Sequence, residues 1–359
     1  MTLEQLAKLR LVRSERVGPI TFRQLVARFG SATAALSALP DLARRGGGAP
    51  LRIASEAEVT TEARAVERAG ARYLFAGDAD FPPLLAELDN APVAMTVRGH
   101  CEILTRPCIA IVGARNASAA ACRFARELAL GLADRDCVVV SGLARGIDTA
   151  AHQGSLRGGT IGVIASGIDI AFPRENADLQ EAVATDGLLI AEQPPGTEPL
   201  ARHFPYRNRI IAGLGVGTVV VEAAPKSGSL ITARLANEAG REVMAVPGSP
   251  LDPRAQGCNL LIREGATLIQ NADDVLEAIS AMSGHVRSAR EAYEAMPVAM
   301  DVDDAAFDAV CSLMSHTPVA IDELVRQSGL PSPVVAAALL DLELAGTVIR
   351  HAGSRVALR

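Results

Sequence analysis

The sequence predicts an α/β protein whose core is a mostly parallel sheet with helices on both faces. From residue 109 onward, short apolar runs typical of buried strands alternate with helix-like segments. Parallel strands need crossover connections, which usually contain a helix, so this alternation indicates a parallel sheet. The chain has 359 residues, more than one ordinary core needs, and we therefore expect smaller domains beside the sheet.

The strands and helices of the sheet domain are predicted in alternating order over residues 66–283. The predicted strands are Ile109–Val112, Cys137–Val140, Ile161–Ala165, Leu188–Ile190, Thr218–Glu222, Val243–Val246 and Thr267–Ile269. The clearest helical patterns between them are Ser118–Leu132, Thr149–Leu156, Leu230–Ala239 and Ala272–Ile279. Residues 66–107 have no such pattern, and we expect them to form an extended, irregular lead-in to the first strand.

A small helical domain is predicted over residues 1–65. Thr21 is expected to cap its second helix, and a third helix is expected over Ala32–Leu39. The run Gly46-Gly47-Gly48 predicts a break in the chain after these helices.

Residues 284–302 are predicted to be a linker to a last domain over 303–359. One helix is expected around Leu324, and Ser332 is expected to cap the next, after a Gly-Leu-Pro turn. A hairpin follows, with strands Val348–Arg350 and Arg355–Leu358. The order helix, turn, helix, hairpin is typical of a winged helix.

The charge of this last domain argues against duplex DNA as its partner. From residue 304 onward there are six acids, Asp304, Asp308, Asp322, Glu323, Asp341 and Glu343, and four bases, Arg326, Arg350, Arg355 and Arg359. A surface that binds duplex DNA is normally basic. We therefore expect a protein contact or a regulatory role.

The composition is that of an ordinary soluble protein, with 49% hydrophobic and 21% charged residues. The six cysteines show no CxxC spacing, so neither a disulfide framework nor a metal site is expected, and a reducing cytoplasm fits. The uncharged run Ile210–Val221 is too short to span a bilayer, which takes about 20 residues. The net charge of −6 means that any nucleic-acid site must come from local basic clusters.

Two loops at the carboxyl ends of the first two predicted strands each combine glycine with arginine. In an open parallel sheet, ligands bind outside these ends. The first loop contains Gly113 and Arg115 and leads to Ser118 at a helix start. The second contains Ser141-Gly142 and Arg145. Glycine lets the backbone approach a phosphate, and arginine and a helix N-terminus attract an anion, so we predict an anion site; surface turns with unrelated arginines are the alternative.

A third candidate loop, residues 202–209, is rich in arginine and aromatic residues and has no acid. Its candidate ligand-binding residues are Phe204, Arg207, Asn208 and Arg209. Bases stack on rings and guanidinium planes while arginines follow phosphates, so this composition favours single-stranded nucleic acid. The alternative is that the aromatics fold inward and the arginines pair with Glu192 or Glu198.

A fourth loop, Lys226-Ser227-Gly228-Ser229, follows a strand and enters a helix, which makes it a candidate anion nest. It lacks the spacing of an ATP-binding P-loop. Asn259 is expected to shape another loop beside the sheet. No paired carboxylates, metal cluster or nucleophile elbow appears near these loops, so no catalytic residues are predicted, and His152 is interpreted as a structural histidine.

Taken in order, these segments resemble the DprA/Smf (DNA-processing) family. The matching text is Ile111–Arg115, Ser141–His152, Phe204–Gly213, Ser227–Leu230, Ala245–Gly248 and Gly257–Ile262. The resemblance implies a Rossmann-like domain between a SAM- or helix-hairpin-helix-like domain and a winged helix. It also implies that Arg115, Arg145 and the segment from Phe204 to Arg209 grip a DNA strand.

The function implied by the resemblance is non-enzymatic and independent of sequence: single-stranded DNA binding that helps load the RecA recombinase, notably in natural transformation. The implied protein is cytoplasmic and homodimeric, with no cofactor and no membrane partner. RecA is its implied protein partner, and single-strand-binding protein is a further candidate.

Two other functions remain open at this point. One is a nucleotide N-glycosidase of the lysine-decarboxylase-like group, because Gly215–Glu222 faintly echoes the glycine-rich loop and glutamate of those enzymes. The other is a scaffold whose winged helix binds a partner and whose pocket is vestigial.

Overall fold

The structure, a computed structural model, describes residues 1–45, 51–286, 304–351 and 353–359. The predicted glycine break at 46–48 and nearly all of the predicted linker lie outside these ranges. The chain divides into two compact units: Met1–Thr61 with Tyr293–Arg359, and Glu62–Ala292.

The N-terminal segment forms the helices α1 (Leu3–Arg13), α2 (Pro19–Phe29) and α3 (Ala32–Arg45). The expectation that Thr21 caps α2 is wrong. Gly18 is the cap and Pro19 the first helical residue, where proline's fixed φ suits the first turn, and Thr21 is buried inside the helix.

The second unit contains a nine-stranded sheet within the described residues, which confirms the predicted α/β class. Its strands are β1 (Arg72–Phe75), β2 (Ala94–Gly99), β3 (Cys108–Gly113), β4 (Val138–Ser141), β5 (Thr160–Gly167), β6 (Leu188–Gln193), β7 (Gly217–Val221), β8 (Glu242–Ala245) and β9 (Thr267–Leu268). Their order is β1-β2-β6-β5-β4-β3-β7-β8-β9. All neighbours from β6 to β9 pair in parallel, whereas β1 with β2 and β2 with β6 are antiparallel.

The helices that accompany the sheet are α4 (Glu56–Arg68), α5 (Pro83–Ala86), α6 (Ala119–Ala133), α7 (Ile147–Ser155), α8 (Ala177–Asp186), α9 (His203–Leu214), α10 (Gly228–Glu238), α11 (Gln256–Arg263) and α12 (Ala272–Val286). Alternate residues of β3 enter two different cores. Ile109 and Ile111 pack with residues of α6, α7 and α12, and Ala110 and Val112 pack with residues of α9, α10 and α11. Burial on both faces explains why this strand is apolar throughout.

Two predictions about this unit are wrong. Residues 66–107 are not irregular, because β1 and β2 extend the sheet as antiparallel strands. The segment 202–209 is not a loop, because α9 begins at His203.

The sheet has a topological switch between β3 and β7. From β3 the strand order runs in one direction through β4, β5 and β6 and in the other through β7, β8 and β9. The connections that follow β3 and β7 therefore leave the sheet toward opposite faces, which opens a crevice at the carboxyl ends of these two strands.

The C-terminal segment has the predicted winged-helix order. It consists of α13 (Asp304–Ser312), β10 (Val319–Ala320), α14 (Ile321–Ser328), α15 (Ser332–Ala345), β11 (Val348–His351) and β12 (Arg355–Leu358). The strands form a sheet in the order β10-β12-β11. The expectation that Ser332 caps α15 is wrong: Pro331 precedes the helix and Ser332 is its first residue.

In the described part of the chain, no single helix has both the length and the apolar character needed to cross a membrane. Helices α14 and α15 meet those criteria only as a pair, and they are bent by 118° at the break between them.

Candidate nucleic-acid interface

A cleft of about 770 Å³ lies at the topological switch between β3 and β7. The connections that follow β3, β4 and β7 line it, together with the first turns of α9 and α10. The cleft therefore joins four of the sequence segments that were predicted separately. Eight of the predicted site residues line it: Gly113, Arg115, Phe204, Arg207, Asn208, Ser227, Gly228 and Ser229.

Two glycines let the loops of this cleft meet backbone to backbone. A Cβ at Gly113 would overlap the carbonyl oxygen of Val221, and a Cβ at Gly146 would overlap that of Ala114. Gly146 also has a φ of 76°, which disfavours other residues. The loop after β3 thus approaches the end of β7 and the loop after β4 more closely than a side chain at either glycine would allow.

Arg207 is a charged side chain of the cleft that is nevertheless only 7% exposed. Its guanidinium lies over Gly142, and a Cβ at Gly142 would overlap it. Its Nε has no hydrogen-bond partner among the described residues. Burial lowers the pKa of Arg207 to about 10, although Asp148 opposes that shift, so the side chain is still a cation at neutral pH.

Asp148 is a buried acid whose negative charge acts on Arg207. Its carboxylate, however, already accepts hydrogen bonds from the backbone. One carboxylate oxygen accepts from the N–H of Gly142 at 3.1 Å and from that of Ala144 at 3.4 Å. Burial raises the pKa of this carboxyl, and the charge of Arg207 opposes the shift. Asp148 lies in the first turn of α7 and holds the preceding loop, while Gly146 is the residue before the helix.

Arg115 and two phenylalanines form the rim of the cleft. The Cζ of Arg115 lies 5.3 Å from the ring centroid of Phe204, a distance typical of a cation–π contact. The ring of Phe172 lies 6.0 Å from that of Phe204 and is 43% exposed. Phe172 is not among the residues predicted from the sequence, because it is the one aromatic residue of its segment. What could have indicated it is its position, because it is an aromatic residue that follows the carboxyl end of a predicted strand.

The start of α10 closes another side of the cleft. The hydroxyls of Ser227 and Ser229 are 2.8 Å apart, and no side chain caps the helix N-terminus. Asn208 donates from Nδ2 to the carbonyl oxygen of Gly228 at 3.3 Å and so ties α9 to α10. Lys226 is exposed just before this turn and outside the residues that line the cleft. Uncapped N–H groups at a helix start attract an anion.

Two further arginines border the cleft. Arg145 lines a small extension beside Phe172, as does Gly142, and its side chain is 61% exposed and 3.4 Å from Glu175. Arg254, which the sequence analysis did not select, lines the main cleft and forms two hydrogen bonds to Asp252, at 3.1 and 2.9 Å. Both carry positive charge at the rim, but a carboxylate beside each reduces it.

Two serines that were predicted to bind the ligand, Ser141 and Ser118, make hydrogen bonds within the protein. Ser141 is fully buried and its hydroxyl donates to the carbonyl oxygen of Ile111 at 2.6 Å. Ser118 caps α6, and its N–H and hydroxyl both donate to the carboxylate of Glu222, at 2.8 and 2.7 Å. Ser118 and Glu222 line a separate cleft of about 470 Å³, so the glutamate considered for N-glycosidase chemistry lies outside the cleft of Arg207.

Arg209 and Asn259 also point elsewhere. Arg209 is 4% exposed and pairs with Glu192, which is the inward alternative that the sequence left open for this residue. The amide of Asn259 exchanges hydrogen bonds with the backbone of Gly248, at 3.2 and 2.9 Å. These two residues and the two serines are therefore not among the residues that line the cleft of Arg207.

His152 is fully buried, and its Nδ1 lies 2.7 Å from the hydroxyl of Thr160. Burial, aided by the nearby charge of Arg207, lowers its pKa to about 3, so the ring is neutral at ordinary pH. Among the described residues no group of His, Cys, Asp and Glu has the arrangement of a metal site.

Three family models match the chain and together cover most of it. Residues 72–280 match the model of DNA recombination-mediator protein A. Residues 2–65 match the DprA-like N-terminal HHH domain, and residues 294–354 match the DprA winged helix domain.

Protein Smf from Escherichia coli (strain K12) is 38% identical to this chain over 291 residues, which is 80% of this chain and 78% of that protein. The crystal structure of DNA processing protein A from Streptococcus pneumoniae is similar with a TM-score of 0.65 and 35% identity over 77% of this chain and 98% of the other. A structure of DNA processing protein A from Helicobacter pylori, described for its single-stranded DNA binding mode, has a TM-score of 0.53 and 27% identity over 59% and 96%. This chain therefore belongs to the DprA/Smf family.

Proposed function

We propose that the cleft at the β3/β7 switch binds single-stranded DNA without reading its sequence. The observation that carries the proposal is Arg207, a buried cation over Gly142 whose Nε lacks a partner among the described residues. A buried charge is costly unless it is paired. A phosphate in the cleft would supply the opposite charge beside the guanidinium, which lines that space.

The remaining groups suit the rest of a nucleotide chain. The uncapped start of α10 and Arg115 add positive potential on two other sides of the same space. The rings of Phe204 and Phe172 offer surfaces on which unpaired bases stack, whatever their identity. A duplex keeps its bases stacked on each other, so only a single strand satisfies both sets of groups.

The relatives support this assignment through what their names state. The Helicobacter pylori protein, whose match covers 59% of this chain, is described as binding single-stranded DNA. By analogy with the family, we propose that this chain acts as a cytoplasmic homodimer. It binds DNA and does not catalyse strand cleavage or base release. We further propose that it helps load RecA on the bound strand, with single-strand-binding protein as a neighbour, including during natural transformation.

The proposal is tested by titrating a fluorescent oligo-dT with the full chain. The double variant Arg115→Ala/Arg145→Ala removes two exposed charges at the rim, so it leaves the core intact and is expected to weaken binding at least tenfold. Arg234→Ala is the matched control, because Arg234 is exposed on α10, pairs with Glu238 and does not line the cleft.

Equal affinity of the double variant and the control would refute the site. Recovery of a shortened or base-depleted oligonucleotide after incubation would refute binding without turnover. For the RecA role, the expected result is faster RecA filament formation on a strand covered by single-strand-binding protein, and an unchanged rate would count against it.

A further inference from the structure

The third helix of the winged helix, α15, is apolar on two faces. Val335, Ala338, Leu339 and Leu342 belong to the core of the winged helix itself. A second set is also buried but lies outside that core: Val334, Leu340, Asp341, Leu344 and Ala345. A helix that is apolar all round must be covered on both sides.

The N-terminal helical segment covers the second face. Helix α3 packs beside α15, and two arginines of the segment reach its polar atoms. Arg28 of α2 donates to Asp341 Oδ1 at 2.9 Å, and Arg16 donates to the carbonyl oxygen of Leu344 at 3.0 Å. The side chains of Arg28 and Asp341 are only 10% and 4% exposed.

In DNA-binding proteins with a helix-turn-helix, the second of the two helices enters the major groove. Here α14 and α15 form that pair, so α15 is the helix that would have to reach DNA. It contains no lysine or arginine, it carries the acids Asp341 and Glu343, and Glu343 is already bonded to Arg350 at 2.8 Å. Its charge is opposite to what a phosphate backbone attracts.

We propose that the winged helix of this protein is an intramolecular docking module whose occupant is the chain's own N-terminal helical segment. The face of α15 that carries Asp341 is the docking site. The Arg28–Asp341 ion pair fixes the position of the N-terminal segment on that site. The winged helix therefore joins the two ends of the chain and does not hold duplex DNA. This inference does not depend on the single-stranded DNA site.

The test uses the full chain with a protease recognition sequence inserted between residues 286 and 304. After cleavage, the C-terminal fragment is expected to co-elute with the remainder in gel filtration at micromolar concentration. Removing one member of a buried ion pair takes away a close opposite charge from the other, so Arg28→Met or Asp341→Leu is expected to weaken retention about 100-fold or more. Arg44→Met is the matched control, because that arginine is 77% exposed.

The double variant Arg28→Met/Asp341→Leu replaces the whole pair with apolar side chains, which is often neutral for stability. It is expected to retain the fragment nearly as well as the unmodified chain. Because Arg28→Met leaves the winged helix unaltered, its effect also separates loss of docking from unfolding of that domain. Loss of the fragment from the unmodified chain, or equal retention by all variants, overturns the proposal.

Two other occupants are distinguished with the uncleaved chain. If a second copy occupied this face of α15, the uncleaved Arg28→Met chain would have a smaller mass in light scattering than the uncleaved unmodified chain, which would overturn the intramolecular assignment. If duplex DNA were the occupant, the intact chain would bind a blunt oligonucleotide duplex and would lose that binding on deletion of residues 304–359. Equal masses of the two uncleaved chains and no such duplex binding are the expected results.

Discussion

Gly142 leaves no space for a Cβ because the guanidinium of Arg207 occupies the position where it would lie. The two residues are 65 positions apart, on the loop after β4 and on helix α9. A glycine of one motif thus determines where the arginine of another motif can be placed. This relationship connects two stretches of sequence that would otherwise appear to act independently.

We expect Gly142→Ala to displace Arg207 and to weaken binding of oligo-dT at least tenfold while the sheet unit still folds. Fluorescence titration measures the affinity, and circular dichroism checks the fold. Gly18→Ala is the control, since a Cβ there has no neighbour within 4 Å and Gly18 lies in the other unit. Wild-type affinity of Gly142→Ala would show that the placement of Arg207 does not matter for DNA.

Removing the ring of Phe204 is expected to lower the affinity by about 1–3 kcal/mol, the usual value of one stacked base. Phe172→Ala should have an effect of the same kind, because the two rings are neighbours. Tyr206→Ala provides the comparison: this aromatic residue is on the same helix and 58% exposed, but it does not line the cleft. If all three variants bind equally, base stacking at this rim is disproved.

The salt dependence of binding should separate the two rim arginines. For single strands, each phosphate neutralised contributes about 0.7 to the slope of log affinity against log salt. Arg115→Ala is expected to reduce the slope by about that amount, whereas Arg145→Ala should reduce it less, because Glu175 already partly neutralises Arg145. Titrations at several salt concentrations give both slopes. Equal reductions would mean that the Glu175 contact opens when DNA binds.

His152 should make the sheet unit sensitive to acid. Its pKa is about 3 in the folded protein, against an ordinary value of 6.5. Between pH 6.5 and pH 3, the unfolded chain therefore binds a proton on this histidine that the folded protein does not bind. Stability is therefore lost as pH falls below 6.5, by about 2 kcal/mol at pH 5. The free energy of unfolding of His152→Gln, measured by urea denaturation, is expected to fall less between pH 7 and pH 5. Parallel losses in both proteins would contradict this cause.

The parallel strands could be predicted from the sequence because burial on both faces makes them continuously apolar. In β3, for example, both Ile109 and Ala110 must be buried, although they face different helices. Helix α9 was taken for a loop because its buried residues include Arg207 and Arg209, which break any apolar periodicity. The antiparallel strands β1 and β2 were missed because they lie outside the alternating strand–helix pattern.

The candidate site could be located from the sequence but not resolved into individual roles. Loops at the carboxyl ends of parallel strands meet at one edge, so motifs following β3, β4 and β7 could be placed together. Which way each side chain points depends on partners far along the chain. Glu192 takes Arg209 inward, while Arg207, two residues earlier, is left facing the cleft.

The unit built from both ends of the chain has a consequence for synthesis on the ribosome. Residues 1–61 are made before the sheet unit, but their partner helix α15 is made after it. The N-terminal helices therefore have no α15 to pack against until the ribosome has passed the whole sheet unit. We expect the sheet unit to fold first, and the helices of the other unit to pair only afterwards.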